Sequence, residues 1–177
     1  MPMLDQYKEL ARYNRWMNEK LYAACAKLPA EQLAEERGAF FGSILRTLNH
    51  ILWADRAWLA RLTEDPTIGY SYAPGGGLIE AKGYGHILYE DFALLQKERA
   101  RTDHQIELYA GQLEADELAE DMTYKNAKGD EFTHPRWWAI THLFNHQTHH
   151  RGQVTTLLSQ LGIDVGVTDF AIMLRGG

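Results

Sequence analysis

"RWWAITHLFNHQTHHRGQVTTLLSQL", residues 136–161, decides the fold. Its apolar positions Ala139, Leu143, Val154, Leu157 and Leu161 recur at helical spacing, one face of a long amphipathic helix. Pro135 suits the entry of that helix, and Gly162 is a stop signal just past its end. Four of the chain's eight histidines fall inside it: His142, His146, His149 and His150. At about 100° per residue, His150 lies about 30° from the centre of the stripe and His146 about 70°, against roughly 110° for His142 and roughly 130° for His149. His146 and His150 are therefore the inward pair. They sit at i and i+4, the spacing at which one helix offers two imidazoles to one ion. His149 points to another face, and His142 is intermediate, its contribution left open.

The segment contains no Asp and no Glu. A di-iron site needs Glu-x-x-His from paired helices, and none is available. The zinc-protease pattern His-Glu-x-x-His also fails, because Gln147 and Thr148 follow His146. A nitrogen-rich single-metal site remains, and its third ligand has to come from another helix. His50, midway along "TLNHILWAD" (47–55), is the best donor. It lies off the main stripe of its helix, flanked by the small residues Thr47, Ala54 and Ala57, which let a neighbouring helix approach. His86 and His104 compete, and His134 reaches such a site only from the rim. The alternative is a polar seam without metal, in which His146 and His150 bond to Asn14, Asp55 or Gln153.

Working outward, a helix is expected over about 3–28, with Tyr7, Leu10, Asn14, Met17, Leu21, Cys25 and Leu28 on one face. Asn14 interrupts that face as a buried amide or a pocket-lining group. Pro29 opens a short turn or brief helix. A second long helix runs from Ser43, its N-cap, to Leu62, with the stripe Ile44, Leu48, Ile51, Asp55, Trp58 and Leu62. The Pro- and Gly-rich stretch 63–85 reads as a long loop without regular structure. A third long helix is expected over 84–113, and a small β-hairpin around "NAKGD" (126–130). The apolar tail "IDVGVTDFAIML" (163–174) should dock back onto the body. These elements make one all-α domain over 1–177, an up-down four-helix bundle with a small β-hairpin inserted before the last helix.

Composition narrows the function. Hydrophobic residues at 45% and charged residues at 24% fit an ordinary globular domain. No apolar run approaches the roughly 20 residues that cross a bilayer, so no membrane role is expected. A net charge of −6 without a basic stripe argues against nucleic acid. The single cysteine, Cys25, on a buried face, fits a reducing, cytoplasmic setting and an inert thiol.

With these residues identified, the chain resembles the DinB/YfiT-like family of metal-dependent bundle proteins. The resemblance is carried by "YNRWMNEKL" (13–21), "GSILRTLNHILWADRAWL" (42–59), "FNHQTHHRGQ" (144–153) and "GVTDF" (166–170). It implies a four-helix bundle, commonly a homodimer. It also implies one divalent ion, nickel or zinc, on His50, His146 and His150. Characterised relatives of this kind include thiol-dependent transferases and isomerases.

The expected activity is accordingly that of a metalloenzyme. Three neutral histidines leave an ion with an open position, the arrangement of catalytic sites, where a small thiol or water is activated. Asn14, Asp55 and Gln153 are the candidates for shaping the pocket or orienting a histidine. Neither the residues nor the resemblance assigns a catalytic side chain. The rival readings are a non-catalytic metal-binding protein and a structural dimeric bundle, with Trp137-Trp138 and the Trp53 side of the second long helix available for pairing.

Overall fold

A computed structural model of the chain describes residues 2–126 and 128–176. Four long helices dominate: α1 (Pro2–Cys25), α3 (Ile44–Leu62), α4 (Phe92–Gln112) and α5 (Arg136–Gln160). Two short helices, α2 (Ala30–Ala34) and α6 (Phe170–Leu174), two 3-10 turns (Pro66–Gly69 and Glu117–Ala119) and two hairpins, β1–β2 (Ser71–Tyr72, Leu78–Ile79) and β3–β4 (Asp121–Lys125, Glu131–Pro135), complete the described elements. The β3–β4 strands pair antiparallel, Asp121 opposite Pro135 and Lys125 opposite Glu131. Ala127, in the turn between them, lies outside the described residues, as do the chain ends Met1 and Gly177.

Local chemistry sets the helix ends. The Ser43 hydroxyl accepts from the Arg46 N–H and starts α3. The Asp91 carboxylate accepts from the Leu94 N–H at 2.7 Å and starts α4. That cap corrects the expected start at Tyr84: residues 84–91 are a loop of turns and bends, so His86 is on no helix. Gly162, at φ +74°, closes α5 with the Ile163 N–H on the Leu158 carbonyl at 2.9 Å. Helix α1 stops at Cys25, three residues short of expectation. The 63–85 stretch is also more ordered than its composition predicts: a 3-10 turn at Pro66–Gly69 precedes β1–β2.

Each long helix packs on two others: α1 on α4 and α5, α3 on α5 and α4. The core is layered along these helices. One apolar cluster gathers Leu21, Leu48, Leu52, Leu95 and Leu158, and another gathers Ala11, Leu59, Ile106, Ile140 and Leu143. The order in which each helix visits the clusters gives its direction. α1 and α5 run from the second to the first, whereas α3 and α4 both run from the first to the second. Strict up-down alternation therefore fails at α3–α4, which are parallel. The physical reason is the long crossover from Thr63 to Asp91, which carries the chain back along the roughly 28 Å of α3. The tail docks as expected, with Met173 of α6 buried and the Tyr13 hydroxyl donating to the Thr168 carbonyl at 2.6 Å.

Between the two apolar clusters every long helix contributes polar residues: Asn14 and Asn18, Asp55, Arg99 and Asp103, Gln147 and Arg151. Arg99 Nη1 donates to Asp55 Oδ2, which also accepts from Gln147 Nε2 at 2.7 Å. Asp103 Oδ1 accepts from Asn14 Nδ2 at 2.8 Å and Asn18 Nδ2 at 2.9 Å, with Arg99 Nη2 at 3.0 Å. Arg151 Nη1 donates to Asn14 Oδ1 and, at 3.0 Å, to Gln147 Oε1. Two guanidinium and two carboxylate groups thus compensate one another away from water.

Candidate metal centre

Helices α3 and α5 lie side by side and bring three imidazoles together. One ring nitrogen from each of His50, His146 and His150 falls within 4.8 Å of the others. His50 and His146 approach closest, with Nε2 to Nε2 at 3.0 Å. The i, i+4 pair on α5 behaves as the spacing requires, and Thr47 and Ala54, both buried, flank His50 on the close-packed side of α3.

Two of the rings are oriented from behind. His50 Nδ1–H donates to the Tyr84 carbonyl at 2.9 Å, and His150 Nδ1–H donates to Gln153 Oε1 at 2.7 Å. Each bond places the ring proton on Nδ1 and leaves the Nε2 lone pair free. The His150–Gln153 bond is one that both the metal-site and the metal-free readings of the sequence named. No hydrogen bond joins Asn14 or Asp55 to the three histidines; both belong to the buried polar layer.

Sequence reasoning assigned no role to three contributors. The Tyr84 carbonyl leaves no trace in side-chain chemistry. Asn49 is fully buried and clamps the same loop: its Oδ1 accepts from the Tyr89 N–H at 2.9 Å, and its Nδ2 donates to the Tyr89 carbonyl at 3.0 Å and the Leu45 carbonyl at 2.9 Å. Phe41 roofs the site, its ring stacked on His50 at 4.0 Å between centroids and edge-on to His150 at 5.4 Å. A Phe-Phe pair before a glycine and an N-cap serine does not tell in one sequence which ring, if either, covers a site.

The other histidines stay out of the group. His142 packs on Trp58 at 4.9 Å and on His146 at 5.7 Å. His149 is exposed beside Gln153, His134 stacks on Trp138, and His104 is exposed on α4. Trp137 and Trp138 are surface residues, Trp138 at 53% exposure and stacked on His134 of β4.

Burial sets the protonation. It lowers His50 to about 4, only partly opposed by the Tyr84 carbonyl, and lowers His146 to about 3, helped by the surrounding histidines. His150 is lowered for the same first reason, against the pull of Gln153. At neutral pH all three rings are uncharged, the state in which imidazole ligates metal. The donor set fits one divalent ion. One ring nitrogen of each histidine faces a common space, no carboxylate joins them, and His146 Nδ1 is buried without a hydrogen-bond partner among the described residues.

Comparison with known proteins gives the chain a family. Residues 3–176 match the model of the DinB family. The chain is 27% identical over 175 residues to Protein DinB of Bacillus subtilis (strain 168), covering 97% of this chain and 95% of that protein.

Proposed function

The chain belongs to the DinB family, and on that premise we propose that it binds one divalent metal ion through His50, His146 and His150 and uses it as an enzyme. The observation that carries this reading is the convergence of three neutral ring nitrogens, from two helices, within 4.8 Å. Nickel and zinc are the ions of choice, because an all-imidazole donor set suits both. An ion held by three histidines would have room for a further ligand and would lower the pKa of a water or thiol placed there.

The chain's own residues prepare that chemistry. The Tyr84 carbonyl and Gln153 hold His50 and His150 in the Nδ1–H tautomer. Phe41 covers the His50 and His150 rings, while His146 is half-buried. Bound by these three histidines, the ion would supply activation of a small thiol or water, the chemistry a thiol-dependent transferase or isomerase requires. The architecture is read as a four-helix bundle forming one domain, the protein as cytoplasmic and as a homodimer, with exposed Trp137 and Trp138 as the surface to test for pairing.

The experiment is metal stoichiometry. The stripped protein should take up one zinc or nickel ion per chain by calorimetry. His50→Ala, His146→Ala and His150→Ala should each abolish uptake, and His149→Ala should keep it. Uptake that survives all three substitutions refutes the assignment. One observation favours a metal-free alternative: the His50–His146 nitrogen contact at 3.0 Å is also a hydrogen-bond distance, as in a structural polar seam. Under that reading no ion is taken up, and His50→Ala costs stability only.

A further inference from the structure

Beside the histidine group an open cleft of about 430 Å³ runs between the 36–42 turn and Tyr84–Gly85. Its walls include Phe40, Phe41, Arg46 and Tyr84. Two of these touch the histidine site directly: Phe41 stacks on His50, and the Tyr84 ring stands edge-on to His50 at 6.4 Å. The volume is that of a small-molecule pocket.

Arg46 is the cationic residue of the cleft wall, opposite in sign to Glu36. It precedes His50 by four residues on α3, so the two side chains share a helix face one turn, about 6 Å, apart. Among the described residues the Arg46 guanidinium makes no ion pair. Glu36, the acid in the same cleft, is committed to its own turn. Its Oε1 accepts from the Gly38 N–H at 3.0 Å, and its Oε2 lies against Gly42. Arg46 is also in the first turn of α3, where an acidic residue is the locally favoured choice. A free cation kept there, beside aromatic walls and one turn from a ligating residue, departs from local preference where a ligand has use for it.

We propose that this cleft is the substrate subsite of the histidine centre and that it takes a small organic anion. The carboxylate pairs with Arg46, the apolar body lies against Phe41 and Tyr84, and the reactive end reaches the histidine group one helical turn away. The inference deepens the metalloenzyme reading and rests on it for the word substrate; the anion site itself does not need the metal.

The test separates the two. Phenylacetate, its neutral amide and phenethylamine are titrated into metal-free protein, so that no carboxylate–metal bond contributes, with binding read by ligand-observed NMR. Phenylacetate should bind, and the amide and the amine at least about tenfold more weakly, as expected for a charge-assisted pair. Arg46→Gln should abolish that preference and Arg46→Glu should reverse it toward the amine. Both variants should take up zinc as the parent does, which also shows that they are folded. Equal binding of acid and amide, or a preference that survives Arg46→Gln, overturns the proposal. Failure of zinc uptake with the carboxylate preference intact refutes the metal reading and leaves the anion site standing.

Discussion

Replacing Arg99 by Met should destabilise the protein by about 3–5 kcal/mol at pH 7, the cost of breaking a buried ion pair from one side. The size follows from the surroundings. Arg99 is 2% exposed and serves both Asp55, at 1%, and Asp103, at 2%. Met fills much of the volume but leaves two carboxylates in the core with only amides and Arg151 nearby. The sign of the pH dependence identifies the cause. Burial already pushes Asp55 up to about 6, with Arg99 opposing it, and without Arg99 the carboxyl rises further. A folded-state pKa above the unfolded value of about 3.9 means that the folded chain holds a proton the unfolded chain has released. Stability from that proton is full below the unfolded pKa and is lost as pH rises through the folded one. The variant should therefore recover part of its deficit as pH falls from 7 to 5. The recovery is bounded by about 1.4 kcal/mol per pH unit for each carboxylate. His50 and His146 titrate in both proteins and cancel in the difference. Urea unfolding followed by circular dichroism, at one protein concentration, measures it. A deficit under about 1 kcal/mol, or one that stays constant between pH 7 and 5, refutes the account of the polar layer as a charge-balanced unit whose carboxylates depend on Arg99.

Other outcomes follow from the same structure. Metal-free protein should lose stability as pH falls from about 6.5 toward 4, because His50 and His146 stay neutral when folded, down to about 4 and about 3, and protonate when unfolded; His146→Leu should flatten that slope, and an unchanged slope counts against the buried neutral state. Asn49→Ala removes three hydrogen bonds from a fully buried position and should cost about 2–3 kcal/mol. It should also let His50 populate both tautomers in nitrogen-15 NMR, and an unaltered tautomer would show that the Tyr84 carbonyl does not need the clamp. Gly42→Ala forces a side chain onto φ +83° and into the Glu36 carboxylate. It should cost more than about 1 kcal/mol and shift the His50 ring resonances as Phe41 moves, whereas silent resonances would detach the turn from the site.

How much of this was legible beforehand depends on the scale of the signal. The α5 stripe and its i, i+4 histidines are local periodicity, and the structure brings that pair together with His50. His50 itself was a harder inference, because it sits off the main stripe of α3; small neighbours and the family resemblance identified it, and the close approach of α5 provides the reason. The polar layer escaped because Gln147 and Arg151 interrupt the apolar stripe of α5, so the reading passed from Leu143 to Val154 across them. In the structure they continue the same buried face, and their partners Asp55, Arg99 and Asp103 lie on helices distant in sequence. Asn14 and Asp55 were singled out as polar residues on apolar faces, and both are buried, but burial alone does not tell a pocket from a charge-balanced core. Helix direction was lost for a related reason: a long connection is compatible with a parallel or an antiparallel successor, and only packing decides. Along α3, Asp55 faces Arg99 while Asn49 and His50, one to two turns away, hold the loop and face the histidines of α5. On α5, His146 and His150 face the site while Gln147 and Arg151, each the next residue, face the charged layer. A perturbation of the layer therefore has a short rigid path to the imidazoles, through one residue step of the same helix. For Arg99→Met this means that metal affinity should fall along with stability, even though Arg99 makes no contact with a histidine. Unchanged affinity in the folded variant would show that α5 holds its two histidines independently of the layer beneath them.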